Sequence, residues 1–110
     1  MAIDNSLYDS LEDTYFKIKE YLDNTQLGRE HSIMIIKHEE LVHLLESFDV
    51  EALEEQSKDI HNLHKQLNEI KEVSNQIVKD LRDIDDSVTT ADKVVSGLDQ
   101  VFIKIKNIVV

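Results

Sequence analysis

The feature that most constrains this chain is a seven-residue repeat of apolar residues in its second half. With Ile60 at heptad position a, the a positions run from 60 to 109 and the d positions from 63 to 105 in steps of seven. Of these eight a and seven d positions, fourteen of fifteen are apolar, although the chain is only 41% apolar, and Ser74 is the exception. A repeat this long is typical of coiled-coil or bundle helices. The predicted fold class is all-α, either an elongated helical hairpin or a coiled-coil bundle.

The spacing of apolar residues predicts one helical domain over residues 1–110, with helices near residues 6–26, 31–47 and 50–107. The first helix would end where Asn24 or Gly28 adopts the left-handed conformation. At ~1.5 Å per residue, the third helix would be roughly 85 Å long. The molecule would therefore be elongated, with one long C-terminal helix.

A change of phase in the apolar pattern near residues 47–49 predicts an interruption between the second and third helices. Asp49 is placed to cap a helix, and Phe48 and Leu53 are placed to form a hydrophobic staple around it. A turn there would fold the chain back on itself. Because the segment holds neither glycine nor proline, the alternative is a skip within one continuous helical rod.

Composition excludes several classes of function. The formal net charge is −11, which repels nucleic-acid phosphates and anionic lipid headgroups. The longest uninterrupted apolar run in the chain, Ile33 to Ile36, is too short to cross a bilayer. There is no cysteine, which suits a reducing compartment. We expect a cytoplasmic protein that neither binds nucleic acid nor inserts directly into a membrane.

The residues along the heptad seam predict helical protein partners. Leucine at a and isoleucine at d disfavour parallel dimers, and a parallel homodimer would place Asp80 against Asp85 of its mate. Asp92 and Asp99 continue this acidic edge. The pattern favours an antiparallel homo-oligomer, or a hetero-oligomer whose other member has basic flanks. The predicted partner-binding seam consists of Ile77, Leu81, Ile84, Val88, Val95, Leu98, Phe102 and Ile105.

The C-terminal end of the third helix is expected to need a cover. The first two helices together are shorter than the third, so folding them back would leave the apolar segment 94–110 exposed. An exposed segment of this kind is an aggregation hazard, which implies a partner. The alternative is that the sequence simply ends just after a core helix.

Histidine and carboxylate patterns give no sign of catalysis. In HEELVH, His38 and His43 are five residues apart, so on a helix they point about 140° away from each other and cannot share a zinc ion. His61 and His64 are close enough to share a metal, but two ligands make a weak site. The chain contains no glycine-rich phosphate loop and no nucleophile elbow. We expect no enzyme activity, no metal or other cofactor and no small-molecule substrate.

Two segments are similar to parts of a known family. SLEDTYFKIKEYLDNTQL (10–27) and IHNLHKQLNEIKEVSNQIVKDLRDIDDSVTTADK (60–93) resemble the cappuccino-type subunit of the biogenesis of lysosome-related organelles complex. The resemblance implies a non-catalytic rod subunit, which folds together with other short coiled-coil chains in an endolysosomal trafficking complex.

A third segment, HEELVHLLESFDVEALEEQ (38–56), is similar to flagellar and type III export chaperones of the FlgN type. Those proteins are small, acidic and helical, and they hold a partner's C-terminal helix before secretion. This resemblance implies a groove lined by Leu41, Leu44, Leu45 and Phe48. Both resemblances imply a protein that binds other helices, and they differ in compartment and partner.

Overall fold

The chain folds into helices joined by short connections. The computed structural model describes residues 6–47, 49–83 and 86–109, and within them no residue lies in a β-strand. The α-helices are α1 (Ser6–Asp23), α2 (Ser32–Ser47), α3 (Val50–Gln56), α4 (Ile60–Arg82) and α5 (Ser87–Val109), with a 3₁₀ turn at Arg29–His31. The prediction of an all-α fold is confirmed.

Aspartate caps begin three of these helices. In each case a carboxylate oxygen accepts a hydrogen bond from a backbone amide three residues later, which satisfies a donor that the first helical turn leaves free. The pairs are Asp49 with Ala52 (3.1 Å), Asp59 with Asn62 (3.0 Å) and Asp86 with Thr89 (2.8 Å). The predicted cap at Asp49 is confirmed, whereas its staple partner Phe48 lies outside the described residues.

The prediction of one helix over residues 50–107 is wrong. The segment is divided into α3, α4 and α5, because the caps at Asp59 and Asp86 each start a new helix. The backbone of Asp83, directly after α4, is extended with φ −71° and ψ 134°. Neither interruption needs a glycine or a proline, and the structure therefore has no 85 Å rod.

The end of α1 also differs from the prediction. The helix stops at Asp23 rather than near residue 26. The backbone amide of Asn24 and its side-chain amide both donate to the carbonyl oxygen of Glu20, at 3.1 and 2.8 Å. Neither Asn24 nor Gly28 has a positive φ, so the helix ends without a left-handed residue, and the Asn24 side chain adds a second hydrogen bond to the Glu20 carbonyl oxygen.

Two antiparallel hairpins form the body of the molecule. In the first, α1 and α2 meet where the rings of Tyr15 and His38 stack with their centroids 4.5 Å apart. In the second, α4 and α5 meet at Gly97, where a Cβ atom would lie only 2.5 Å from Cγ1 of Ile77. The two helices therefore approach each other more closely at this point than a side chain on α5 would allow.

The hairpins pack side by side into a bundle of four helices. α1 lies beside α4, and α2 lies beside α5, each pair running in the same direction, so that the order around the bundle is α1, α2, α5, α4. α3 connects α2 to α4 across one end of the bundle. The principal-axis extents are 46 × 21 × 18 Å, the proportions of a short bundle.

The core follows the heptad in α4 but not in α5. α4 buries its a and d positions except the half-buried Ile60 and Leu81, whereas the buried apolar residues of α5 are at d and g positions, because the chain reverses direction between the two helices and presents a different face. The buried apolar residues of α5 are Ala91, Val94, Leu98, Val101 and Ile105. The expectation that the C-terminal segment stays uncovered is therefore wrong, since α5 folds back and buries Val94, Leu98, Val101 and Ile105 of that segment within the bundle.

The one polar residue of the seam has a structural role. Ser74 is fully buried, and its hydroxyl donates to the carbonyl oxygen of Ser10 (3.0 Å) and contacts the Thr14 hydroxyl on α1. Thr14 also lies 3.2 Å from the carbonyl oxygen of Ser74. Small hydroxyl side chains let α1 approach α4 closely, and each buried hydroxyl has a partner.

Candidate interaction surface

The residues of the predicted partner-binding seam occupy three different environments. Ile77, Leu98 and Ile105 are 1%, 0% and 3% exposed and face the chain's own helices. Another protein therefore cannot contact these three residues while the bundle remains folded.

The other members of the seam lie closer to the surface. Leu81, Val95 and Phe102 are half-buried and pack against the edge of the core. Val88 is 52% exposed, and Ile84 lies outside the described residues. The structure therefore brings the middle of the seam into the core and leaves its remaining described members at the margin.

A patch of exposed isoleucines lies on α2 and α5. Ile33 and Ile36 on α2 are 56% and 55% exposed, and Ile103 on α5 is 58% exposed. Ile33 and Ile103 line the same groove between the two helices, and Ile36 lies one turn from Ile33 on the same side of α2. We refer to Ile33, Ile36 and Ile103 as the isoleucine patch.

The patch arises because α2 carries apolar residues on every side of its first turn. Residues 33–36 are all apolar, and four consecutive residues on a helix cannot face one core. Met34 is fully buried and Ile35 is half-buried. An apolar surface around a whole helix is typical of helices that are buried on all sides, so α2 offers more apolar surface than this bundle covers.

Carboxylates surround the isoleucine patch. Glu30, Asp92 and Asp99 line the same groove as Ile33 and Ile103. The ammonium group of Lys37 pairs with Asp99 at 2.8 Å, and this hydrogen bond raises the pKa of Lys37. A backbone hydrogen bond and a second from the Ser87 hydroxyl at 2.8 Å lower the pKa of Glu30. Glu30 and Lys37 are therefore charged at neutral pH.

His31, Glu30 and Ser87 come together at one end of the bundle, but their hydrogen bonds are not those of a catalytic triad. The Ser87 hydroxyl donates to Glu30 rather than to the imidazole. Nδ1 of His31 accepts from the Gly28 amide at 2.9 Å, so it cannot also accept a proton from a nucleophile. His31 is fully buried, which sequence reasoning did not predict. The cluster joins the 3₁₀ turn to α5.

The remaining histidines have different surroundings. Nε2 of His38 donates to the Tyr15 carbonyl oxygen at 3.0 Å, whereas His43 is exposed. Nε2 of His64 lies 3.3 Å from the buried Glu54 carboxylate, and His61 is exposed. Among residues 6–47, 49–83 and 86–109, no three His, Cys, Asp or Glu side chains are grouped as metal ligands would be. In the same ranges, no helix is both long and apolar enough to cross a membrane.

In the segment that resembles export chaperones, the described leucines of the implied groove pack against the bundle. Leu41 is fully buried, and Leu44 and Leu45 pack against the core at partial exposure. Phe48 lies outside the described residues. The apolar side chains of this segment are therefore largely used by the bundle itself.

Comparison of the chain with protein-family models, with curated proteins and with solved structures found no match in any of the three. The assignment of a function therefore depends on the residues described above.

Sequence reasoning missed the isoleucine patch, although part of the signal was present. The run of residues 33–36 is the longest uninterrupted apolar run in the chain, but as sequence it argues only against a membrane span. The position of Ile103 on the other side of the groove could not be predicted, because it depends on how α5 packs against α2.

Proposed function

We propose that this chain is a non-catalytic helical subunit or adaptor, and that it binds another helical protein through the isoleucine patch. The observation that carries the proposal is the exposure of Ile33, Ile36 and Ile103 on one side of a bundle whose own core is closed. Single exposed apolar residues are common on protein surfaces, whereas a group of them beside a groove is typical of an interaction site.

Because the core is closed, only some heptad positions are accessible to a partner protein. α4 and α5 cover each other, so the middle of the seam stabilises the fold and a partner binds elsewhere. This differs from the interpretation based on sequence, in which Leu98 and Ile105 would contact the partner directly. The proposed complex is a hetero-oligomer in the cytoplasm, which suits a chain that lacks cysteine and carries a net charge of −11.

Site-specific photo-crosslinking in cells of the source organism tests this proposal. A photoreactive phenylalanine analogue replaces Ile33 in the full chain, and in a control it replaces Lys79. Lys79 is exposed on α4, which lies diagonally opposite α2 in the bundle. We expect a discrete protein adduct from position 33 and none of that mass from position 79.

Two results would contradict the proposal. A chain that forms no protein adduct from position 33 under conditions in which it is folded would argue against a partner at the patch. Equal yields of the same adduct from both positions would indicate a random encounter. Circular dichroism of both labelled chains establishes that the helical content is unchanged.

A further inference from the structure

The groove beside the isoleucine patch has the shape that a helix requires. α2 and α5 run side by side in the same direction, with Ile33 on one wall, Ile103 on the other and the half-buried Val95 between them. A helix packs the ridge formed by its own side chains into such a groove. Residues 6–47, 49–83 and 86–109 contain no sheet edge to which an extended peptide could add.

The charge of the groove selects among helical partners. Three carboxylates, Glu30, Asp92 and Asp99, line it, and Lys37 lies next to one of them, Asp99. Lys37 is already paired with Asp99, and Asp92 has no hydrogen-bond or ion-pair partner in the described part of the chain. Asp92 and Asp99, two residues of the acidic edge that the sequence places along the heptad seam, therefore lie beside the isoleucine patch.

We infer that the occupant of this groove is a basic amphipathic helix of another protein, with apolar residues against the isoleucine patch and lysine or arginine residues facing Asp92 and Glu30. This inference rests on the proposed helix-binding function. Complementary charge favours such a partner and rejects acidic helices that carry the same apolar stripe.

A second copy of this chain fits the groove poorly. A two-fold symmetric contact places the same patch on both sides of the interface, so the carboxylates around the groove would face their own counterparts. Each copy also carries a net charge of −11. Like charges facing each other across an interface oppose association.

Three designed peptides of about 20 residues, roughly 30 Å long as helices, serve as probes. The first has a leucine stripe flanked by lysines, the second has the same stripe flanked by glutamates, and the third has the composition of the first in scrambled order. Binding to the full chain is measured by fluorescence anisotropy. We expect the first peptide to bind at least about tenfold more tightly than either of the others, with a preference that shrinks as salt rises from about 0.05 to about 0.5 M.

Matched variants locate the binding site. We expect Ile33→Ser combined with Ile103→Ser to weaken binding of the lysine peptide by about tenfold or more. Phe16→Ser removes a phenylalanine that is 55% exposed on α1 and does not line the groove, and it should leave the affinity unchanged. Asp92→Asn should reduce the preference for lysine over glutamate flanks. Amide chemical shifts should change along α2 and α5 when the lysine peptide is added.

Each other outcome overturns the inference. If the scrambled peptide bound as tightly as the lysine peptide, binding would depend on net charge alone. If the glutamate peptide bound as tightly as the lysine peptide, the carboxylates of the groove would not discriminate between basic and acidic helices. A dimer in light scattering that Ile33→Ser dissociates would assign the groove to a second copy. If position 33 crosslinks to a protein in cells but the lysine peptide does not bind, only the partner's chemistry is wrong. If no adduct forms, the proposed function fails as well.

Discussion

α4 and α2 use their apolar residues in different ways. α4 carries a narrow stripe, and the members of that stripe are almost all buried between α1 and α5. α2 carries apolar residues on several sides, buries only Met34 and Leu41, and leaves Ile33 and Ile36 more than half exposed. The sequence of α4 is accounted for by the fold of this chain alone. The sequence of α2 contains more apolar surface than the fold covers, and this excess is the reason to expect a partner.

The largest expected effect compares one substitution in the two helices. Ile70→Ala on α4 removes a side chain that is 0% exposed, and we expect it to lower the free energy of unfolding by roughly 2–5 kcal/mol. Ile36→Ala on α2 removes one that is 55% exposed, and its effect should be within about 0.5 kcal/mol. Urea denaturation followed by circular dichroism measures both.

The proposed difference between α4 and α2 would be contradicted if Ile70→Ala and Ile36→Ala lowered the free energy of unfolding by the same amount. A large loss from Ile36→Ala would mean that the α2 surface stabilises the isolated chain, through self-association or by other means. Light scattering at each protein concentration separates these two cases, because the stability of a dimer depends on concentration.

Much of the packing of α4 can be predicted from its sequence. The a and d positions of α4 indicate a buried stripe, because a single stripe on a helix permits only one buried face, and Leu63, Leu67 and Ile70 are indeed buried. Ile77 of the same stripe, which was predicted to contact a partner, lies in the core of this chain instead. The helix ends were harder to predict. Asp49 was recognised as a cap, whereas Asp59 and Asp86 carry the same short signal inside a repeat that continues through them. A local cap can end a helix without disturbing the apolar spacing.

The α2 half of the comparison depends on tertiary packing. Sequence alone indicates that residues 33–36 cannot all face one core, yet it does not indicate which of them is buried. Nor does it place Ile103, Asp92 and Asp99 beside them, since α5 turns its d and g positions inward. The burial of His31 likewise follows from how the 3₁₀ turn packs against α5.

A substitution of intermediate effect concerns the polar residue in the α4 stripe. Ser74→Leu would complete the apolar repeat, yet we expect it to destabilise the protein by about 1–3 kcal/mol, because leucine cannot fit where α1 approaches α4. The variant that combines Thr14→Val with Ser74→Ala should be closer to the wild type, since it leaves neither hydroxyl unpaired. Urea midpoints decide the order. A stabilising Ser74→Leu would show that the two helices are further apart than the structure places them.

A smaller effect is expected where α4 touches α5. Gly97→Ala should gain about 1 kcal/mol in helix propensity, but its Cβ would lie 2.5 Å from Cγ1 of the buried Ile77. Overpacking of this kind costs about 1–3 kcal/mol, so we expect the free energy of unfolding to fall by roughly 1 kcal/mol. Thermal denaturation measures this difference. Ser96→Ala, at the exposed neighbouring position, is the control for propensity and should be neutral or slightly stabilising. If Gly97→Ala were as favourable as Ser96→Ala, the close contact between the hairpin helices would be absent.

The smallest expected effect tests the inner side of α2, where His38 stacks on Tyr15 of α1. Burial lowers the pKa of His38 below the ordinary value for histidine, more strongly than the hydrogen bond to the Tyr15 carbonyl oxygen and the charge of Glu39 raise it. The unfolded chain therefore binds a proton at a higher pH than the folded chain does. The stability contributed by neutral His38 is complete above the unfolded pKa and is lost as the pH falls below it.

The measurement is the urea midpoint from about pH 7.5 down to about pH 5.5, the range in which histidine titrates. His38→Phe keeps an aromatic ring against Tyr15 but cannot take up a proton, so its midpoint should fall less steeply than that of the wild type. His43→Gln removes an exposed histidine of the same helix and should retain the wild-type slope. A wild-type slope in His38→Phe would mean that His38 is hydrated in the folded state, and that the contact of α2 with α1 is as open to water as its outer face.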